Sequence, residues 1–193
     1  QAGSSVTPEH LRFDFSNFEP MTKEQLSQTE QMVNDEIIKA LPVKISHMPQ
    51  DEAKKQGAMA LFGEKYGDIV RVVTVPGFSM ELCGGSHVEN IGQIGLFKII
   101  SESGVAAGVR RIEALTGKAA YEYTKKQEAV ITGAAESLKT DVFDLNAKIV
   151  GLLQENKEFK HRLNDVRETV AKANSQKLLS DAKQYGDLNV VSG

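Results

Sequence analysis

The spacing of apolar residues changes once along this chain, near residue 116, and that change limits the folds open to it. Before it, strand-like and helix-like segments alternate. LRFDF (11–15) alternates apolar and polar residues with period two, as a half-buried strand does. VKIS (43–46) reads as a short strand. DIVRVVTV (68–75) is rich in β-branched residues and reads as another, with FSMEL (78–82) as its neighbour. GLFKIISESG (95–104) and AGVRRIEAL (107–115) read as two more around a tight turn. Thr22 is placed to cap a helix running to about residue 40, with Leu26, Met32, Val33, Ile37 and Ile38 down one side, and Pro42 ends it. A second, short helix starts at Asp51 and is expected to run to Gly63. The pattern predicts an α+β fold with an antiparallel sheet.

From about Thr116 the strand pattern vanishes, and nearly all of the next ~65 residues are good helix formers. Thr140 and Asp141 offer an N-cap, so two helices are predicted, at about 117–138 and 142–182. In the second, Val142, Ile149, Asn156, Leu163 and Val170 fall seven apart. Leu145, Leu152, Phe159, Val166 and Ala173 repeat on the adjacent row, completing a heptad seam. Such a helix is roughly 60 Å long. The seam has two readings. It packs on the preceding helix as an antiparallel hairpin, or it pairs two copies of the chain as a homodimeric coiled coil, with Asn156 helping to set the register. The tail DLNVVSG (187–193) reads as a further strand.

Composition excludes several classes. With 193 residues, 40% hydrophobic and 25% charged, the chain is expected to fold as one or two soluble domains. A net charge of −3 excludes an overall basic nucleic-acid binder but leaves room for a local basic patch. The single cysteine excludes an internal disulfide framework and favours a reducing compartment. No apolar run is long enough to span a membrane and no signal-peptide pattern opens the chain, so no membrane partner is expected. Gln1 in place of an initiator Met reads as a fragment or a processed form.

The chemistry concentrates in ELCGGSHV (81–88), which holds the only cysteine, Cys83, and His87 four residues on. A thiolate and an imidazole separated by Gly84, Gly85 and Ser86 can meet one metal ion from a tight turn, and sulfur with nitrogen suits zinc. Two ligands do not complete a site. Three readings therefore stand: half a metal site, a Cys–His nucleophile pair, or a structural turn. His10 and His47, each at a strand end, are weaker ligand candidates, and His161 reads as a solvated residue among charges. In SGVAAGVRRIEAL (103–115), Gly104 and Gly108 flank a turn of little bulk. Arg110 and Arg111 follow on opposite faces of a strand. One is expected to pair with Glu113 or Glu102, and the other is free for a phosphate; a surface ion pair is the alternative for either.

The run GDIVRVV (67–73), together with ELCGGSHVENIGQIGLFKIISESGVAAGVRRIEALTG (81–117), resembles the editing domain of bacterial alanyl-tRNA synthetases. Threonyl-tRNA synthetases and free-standing alanyl-tRNA editing proteins share the underlying domain. GAMALFGEKYGD (57–68), LRFDF, the opening QAGS and the helical stretch match as well. The resemblance implies an internal fragment: an N-terminally truncated editing domain at 1–115, a helical linker at 116–185 and the start of a C-terminal domain at 186–193. It implies hydrolysis of tRNA(Ala) mischarged with serine or glycine, which a size filter tuned to alanine rejects poorly.

In that family Zn2+ is held by an HxxxH and a CxxxH motif. Cys83 and His87 match the second. No HxxxH occurs in this chain, so the resemblance implies half a zinc site, with weak or no zinc binding and poor deacylation. Ser86 stands where threonine is common. Gln1 matches a glutamine near the editing pocket and is expected, with Cys83, to be catalytic. Gly84, Gly85, Ser86, Arg110 and Arg111 are expected to contact the substrate. ATP belongs to the catalytic core of the whole enzyme and is not expected to bind here. The implied partner is tRNA(Ala) and the implied location the cytoplasm. Two rivals remain. One is a tRNA-docking spacer module with phosphate contacts from Lys98, Arg110, Arg111, Lys118, Lys125 and Lys126. The other is a cysteine-dependent hydrolase.

Overall fold

Thr22 starts the first helix, α1 (Lys23–Ile38), through a reciprocal cap. The Gln25 N–H donates to Thr22 Oγ1 at 3.2 Å, and the Thr22 N–H donates to Gln25 Oε1 at 2.9 Å. The helix ends on Ala40, whose φ of 50° turns the chain out of the helix just before Pro42. These coordinates come from a computed structural model that describes residues 1–60 and 67–180, with the backbone of 183–185 and 188–190. They divide into two compact units, 1–127 and 128–193.

The first unit holds two antiparallel sheets. In one, the order is β1 (Gly3–Val6), β2 (Leu11–Ser16), β7 (Val109–Thr116), β6 (Phe97–Ala106). Leu11 and Phe15 lie opposite Ala114 and Arg110, so period-two alternation sends one face of β2 toward α1. Ile37 of α1, Phe97, Ile112 and Ala114 are buried there, with Leu26 and Val33 packed around them. α1 also closes the free edge of β6. Asn34 accepts the Phe97 N–H at 2.9 Å and donates to its carbonyl at 2.8 Å. Glu30 accepts the Ile99 N–H and the Lys98 ammonium, both at 2.8 Å. These are the bonds a further strand would make, and they blunt an edge otherwise open to pairing.

The other sheet runs β3 (Lys44–Pro49), β4 (Ile69–Val75), β5 (Ser79–Leu82). Pro76 and Gly77, with a φ of 76° at the glycine, make the tight turn that joins β4 to β5. Val70, Val72 and Leu82 share one face and bury Ala53 of the short helix α2 (Gln50–Lys55). The opposite face carries Ile45, Val73 and Glu81 in one row.

Two segments depart from expectation. The helix expected from Asp51 to Gly63 stops at Lys55, because Gly57 adopts φ 88° and turns the chain. The backbone of Met59 then bonds β5 instead, accepting from Leu82 N–H and donating to Met80 O, both at 2.9 Å; the rest of that prediction lies outside the described residues. β1 was not predicted. Its GSSV has no apolar alternation, and it exists through pairing with β2.

α3 (Gly117–Ser137) and α4 (Leu145–Ser180) replace strands after residue 116, as predicted. α3 ends on Lys139 with φ 51°. The Lys139 N–H reaches Glu136 O and the Thr140 N–H reaches Ala135 O, each at 3.0 Å. Asp141 then accepts from Phe143 N–H at 2.9 Å. In the second unit the heptad seam is exposed: Ile149, Leu152, Phe159, Leu163, Val166 and Val170 all face solvent. A packed hairpin would bury them. The α3 residues within that unit, Val130 and Ile131, are exposed too and leave the seam uncovered. β8 (Lys183–Tyr185) and β9 (Leu188–Val190) pair antiparallel, so the expected tail strand has a partner. No helix among the described residues is long and apolar enough to cross a membrane.

Candidate metal centre

β5 delivers Cys83. The strand ladder carries one step past Leu82, where the Cys83 N–H donates to Arg71 O at 3.3 Å. Cys83 therefore shares a face with Glu81, two residues back, and with Arg71 across the pair. The loop then runs to Glu89, whose carbonyl accepts from Val43 N–H at 2.9 Å. Asn90 pins the far end, donating to Ala40 O at 2.6 Å and accepting from Gly92 N–H at 2.8 Å.

The two glycines of CGGS were expected to let the backbone bend sharply with no Cβ in the way. Neither has a positive φ. A Cβ on Gly84 would meet open space, and one on Gly85 would stand 3.5 Å from Cys83 Sγ, an ordinary contact. The glycines leave bare, accessible backbone beside the thiol. The bend is held by Arg71, whose Nη1 donates to Cys83 O at 2.6 Å and Gly85 O at 2.9 Å.

Within this loop one donor atom each from Glu81, Cys83 and His87 lies within 4.8 Å of the other two. Glu81 and Cys83 are half-buried and His87 is exposed. A carboxylate oxygen, a thiolate and an imidazole nitrogen are a zinc-type donor set, with bond lengths of roughly 2.0–2.3 Å. The residues present therefore fit one such ion in number and type, with a position left open. Glu81 was not among the expected ligands. Period-two alternation in FSMEL, extended to Cys83, places the two on one face and carries that signal in the sequence.

Glu81 and His87 also line a cavity of about 340 Å³ between this sheet face and the α1 core. Val73, Val75, Phe78, Ile37 and Phe97 make its apolar wall. Of the other expected site residues, Gly84, Gly85 and Ser86 sit in the Cys83–His87 loop, exposed, and Gln1, Arg110 and Arg111 lie elsewhere. Gln1 is exposed, two residues before β1, and is not among the lining residues. Arg110 Nε and Nη2 donate to the two Glu102 oxygens at 2.6 and 2.7 Å. The Arg110–Glu102 pair is the one expected; Arg111, expected to be free for a phosphate, instead donates from Nε and Nη2 to Asp14 at 2.7 and 2.9 Å. Each guanidinium thus presents its Nε–Nη2 edge to a carboxylate within the sheet. Each fork hydrogen bond holds its carboxyl, Asp14 or Glu102, below the usual carboxylate range. Lys98 is paired with Glu30 at 2.8 Å, and Lys118 is exposed and 3.7 Å from Glu122. His10 lies 3.5 Å from Thr7, His47 is exposed on β3, and His161 Nδ1 is 2.9 Å from Asp165.

Residues 70–113 match the family model of the threonyl and alanyl tRNA synthetase second additional domain. This span contains β4 from Val70 on, β5, the Cys83–His87 loop, β6 and most of β7. The chain is also 49% identical to an alanine–tRNA ligase of Alkaliphilus oremlandii over 191 residues, 99% of this chain and 22% of that protein. It is 50% identical to that of Geobacillus kaustophilus and 47% identical to that of Bacillus subtilis, each over 192 residues, 100% of this chain and 22% of the relative. The fold and loop thus define a tRNA-synthetase additional domain with a helical arm. Over its whole length the chain matches one internal segment of bacterial alanine–tRNA ligases and spans about a fifth of the length of these relatives.

Proposed function

We propose that the chain carries the proofreading site of an alanine–tRNA ligase, which hydrolyses tRNA(Ala) mischarged with serine or glycine. The observation that carries this reading is the convergence of Glu81, Cys83 and His87, with Glu81 and His87 lining an apolar cavity of about 340 Å³. A second hydrolytic site is needed because one extra hydroxyl, or one missing methyl, changes binding by only ~1–3 kcal/mol. In the reaction, water adds to the aminoacyl carbonyl, the bond to the ribose oxygen breaks, and that oxygen takes a proton. Val73, Val75 and Phe78 shield the small amino acid from bulk water. Gly84, Gly85 and Ser86 offer backbone and a hydroxyl to its polar groups. Cys83, His87 and Glu81 would hold a zinc ion, which when bound supplies a positive charge to orient the substrate or a water.

The whole protein would join alanine to its tRNA using ATP bound outside this segment. On this reading 1–115 is the editing domain, 116–185 the linker and 186–193 the start of a further domain, in a cytoplasmic enzyme. The docking module is less well supported, since Lys98, Arg110 and Arg111 are paired internally. The exposed heptad seam favours a homodimer through the arm. The test of the hydrolytic reading is release of serine from Ser-tRNA(Ala) by the full-length ligase with and without His87→Ala. A loss of about a hundredfold is expected. Unchanged release would refute it.

A further inference from the structure

We propose that Arg71 is a positioning residue for the Cys83–His87 loop. Its guanidinium sets the loop backbone, and so the direction in which Cys83 and His87 present their donor atoms. The inference rests on the metal-site reading above, but not on the hydrolytic one.

Among the described residues the loop has few other restraints. Its first N–H bonds Arg71 O, and its far end is tied through Glu89 and Asn90. Between these, a Cβ on Gly84 would touch nothing, and Gly85 has only the Cys83 sulfur near it. Into this gap β4 projects Arg71, on the same sheet face as Glu81 and Cys83. A single nitrogen, Nη1, spans the carbonyls of Cys83 and Gly85 at 2.6 and 2.9 Å. Two carbonyls drawn to one nitrogen fix the backbone on both sides of Gly84. The peptide of the sulfur ligand is thereby held with no side chain of the loop taking part. Hydrogen bonds from an ionised donor are about twice as strong as neutral ones. A planar guanidinium is also better suited than an ammonium to hold two acceptors in fixed directions.

The test uses this chain with Arg71→Leu and Arg71→Lys, read by amide hydrogen exchange across 84–89 and by Co2+ affinity from the cobalt–sulfur absorption. Arg71→Leu is expected to speed exchange at these amides, with strands β6 and β7 unchanged, and to weaken Co2+ by about tenfold. Arg71→Lys should restore part of both. If Arg71→Leu lowers cooperative melting, Arg71→Gln carries the same comparison. Unchanged exchange overturns the proposal. Faster exchange with unchanged Co2+ affinity also overturns it, since Arg71 would then be a staple with no bearing on the donors, and so does absence of Co2+ binding by the unsubstituted chain. If both readouts move as expected and Ser-tRNA(Ala) is not hydrolysed by the full-length ligase, the positioning role stands and the hydrolytic function falls.

Discussion

Arg110 and Arg111 are sequence neighbours that stand on opposite faces of β7, each held by both oxygens of a carboxylate. Their opposite directions were legible from strand alternation. The partner Asp14 was not, because it lies 97 positions away and its place is set by the register of β2 on β7. Gly104 makes room for the Arg110 pair: a Cβ there would stand 2.9 Å from Arg110 Nη1. Gly104→Ala is therefore expected to lower the melting temperature. Arg110→Ala should do the same while leaving tRNA affinity and its salt slope nearly unchanged, which a docking role would not allow. The pairs also set the acid limit. Because the fold lowers both carboxyl pKa values, the charged forms are favoured in the native state. That stabilisation is complete above the unfolded carboxylate range near pH ~4 and is lost as pH falls through the lowered native values. Melting followed from pH 7 to pH 3 should show this loss, and Glu102→Gln should flatten it.

At the scale of elements, β2, β4, β5, β6, β7, α1 and the two long helices were legible because each has its own period or cap. β1 and the end of α2 were not, since pairing with β2 and the left-handed Gly57 decide them. The closure of β6 by α1 was equally hidden, because Asn34 and Glu30 read as ordinary polar helix residues. Asn34→Ala removes both bonds to Phe97 and is expected to destabilise by about 1–3 kcal/mol, measured by urea unfolding. Val72→Ala, at a position with no exposed surface, should cost about 2–3 kcal/mol in the same assay. The seam of α4 shows the limit of pattern reading: the heptads are present, but a repeat does not say whether its partner lies in the same chain. If the arm pairs two copies, Asn156→Leu tightens the association, since a polar a-position trades stability for register. Sedimentation across a concentration series would show this, and a monomer at all concentrations in both forms would rule the homodimer out.

The two sheets and the α1 core place the site where an apolar cavity meets a polar loop. Of the three donors that converge there, sequence spacing alone picked out two, Cys83 and His87. Cys83 and His87 were legible because a CxxxH run with two glycines is unusual. Arg71 was hidden, since its role depends on the β4–β5 register. Glu81 was legible in principle, through alternation along β5, and its position tests whether the chain holds two ligands or three. Glu81→Gln keeps the size and shape of the side chain and removes the charge. A two-ligand site from Cys83 and His87 alone would bind Co2+ equally well in both forms, with the same cobalt–sulfur absorption. A three-ligand site would lose about tenfold in affinity, because an amide is a poor substitute for a carboxylate ligand, while the sulfur band persists in whatever binds. Cys83→Ser removes that band in either case and serves as the reference. The donor atoms within 4.8 Å of one another favour the three-ligand outcome. Equal Co2+ affinity in the Glu81→Gln protein would return Glu81 to the cavity wall and leave the metal to Cys83, His87 and residues supplied from outside this segment.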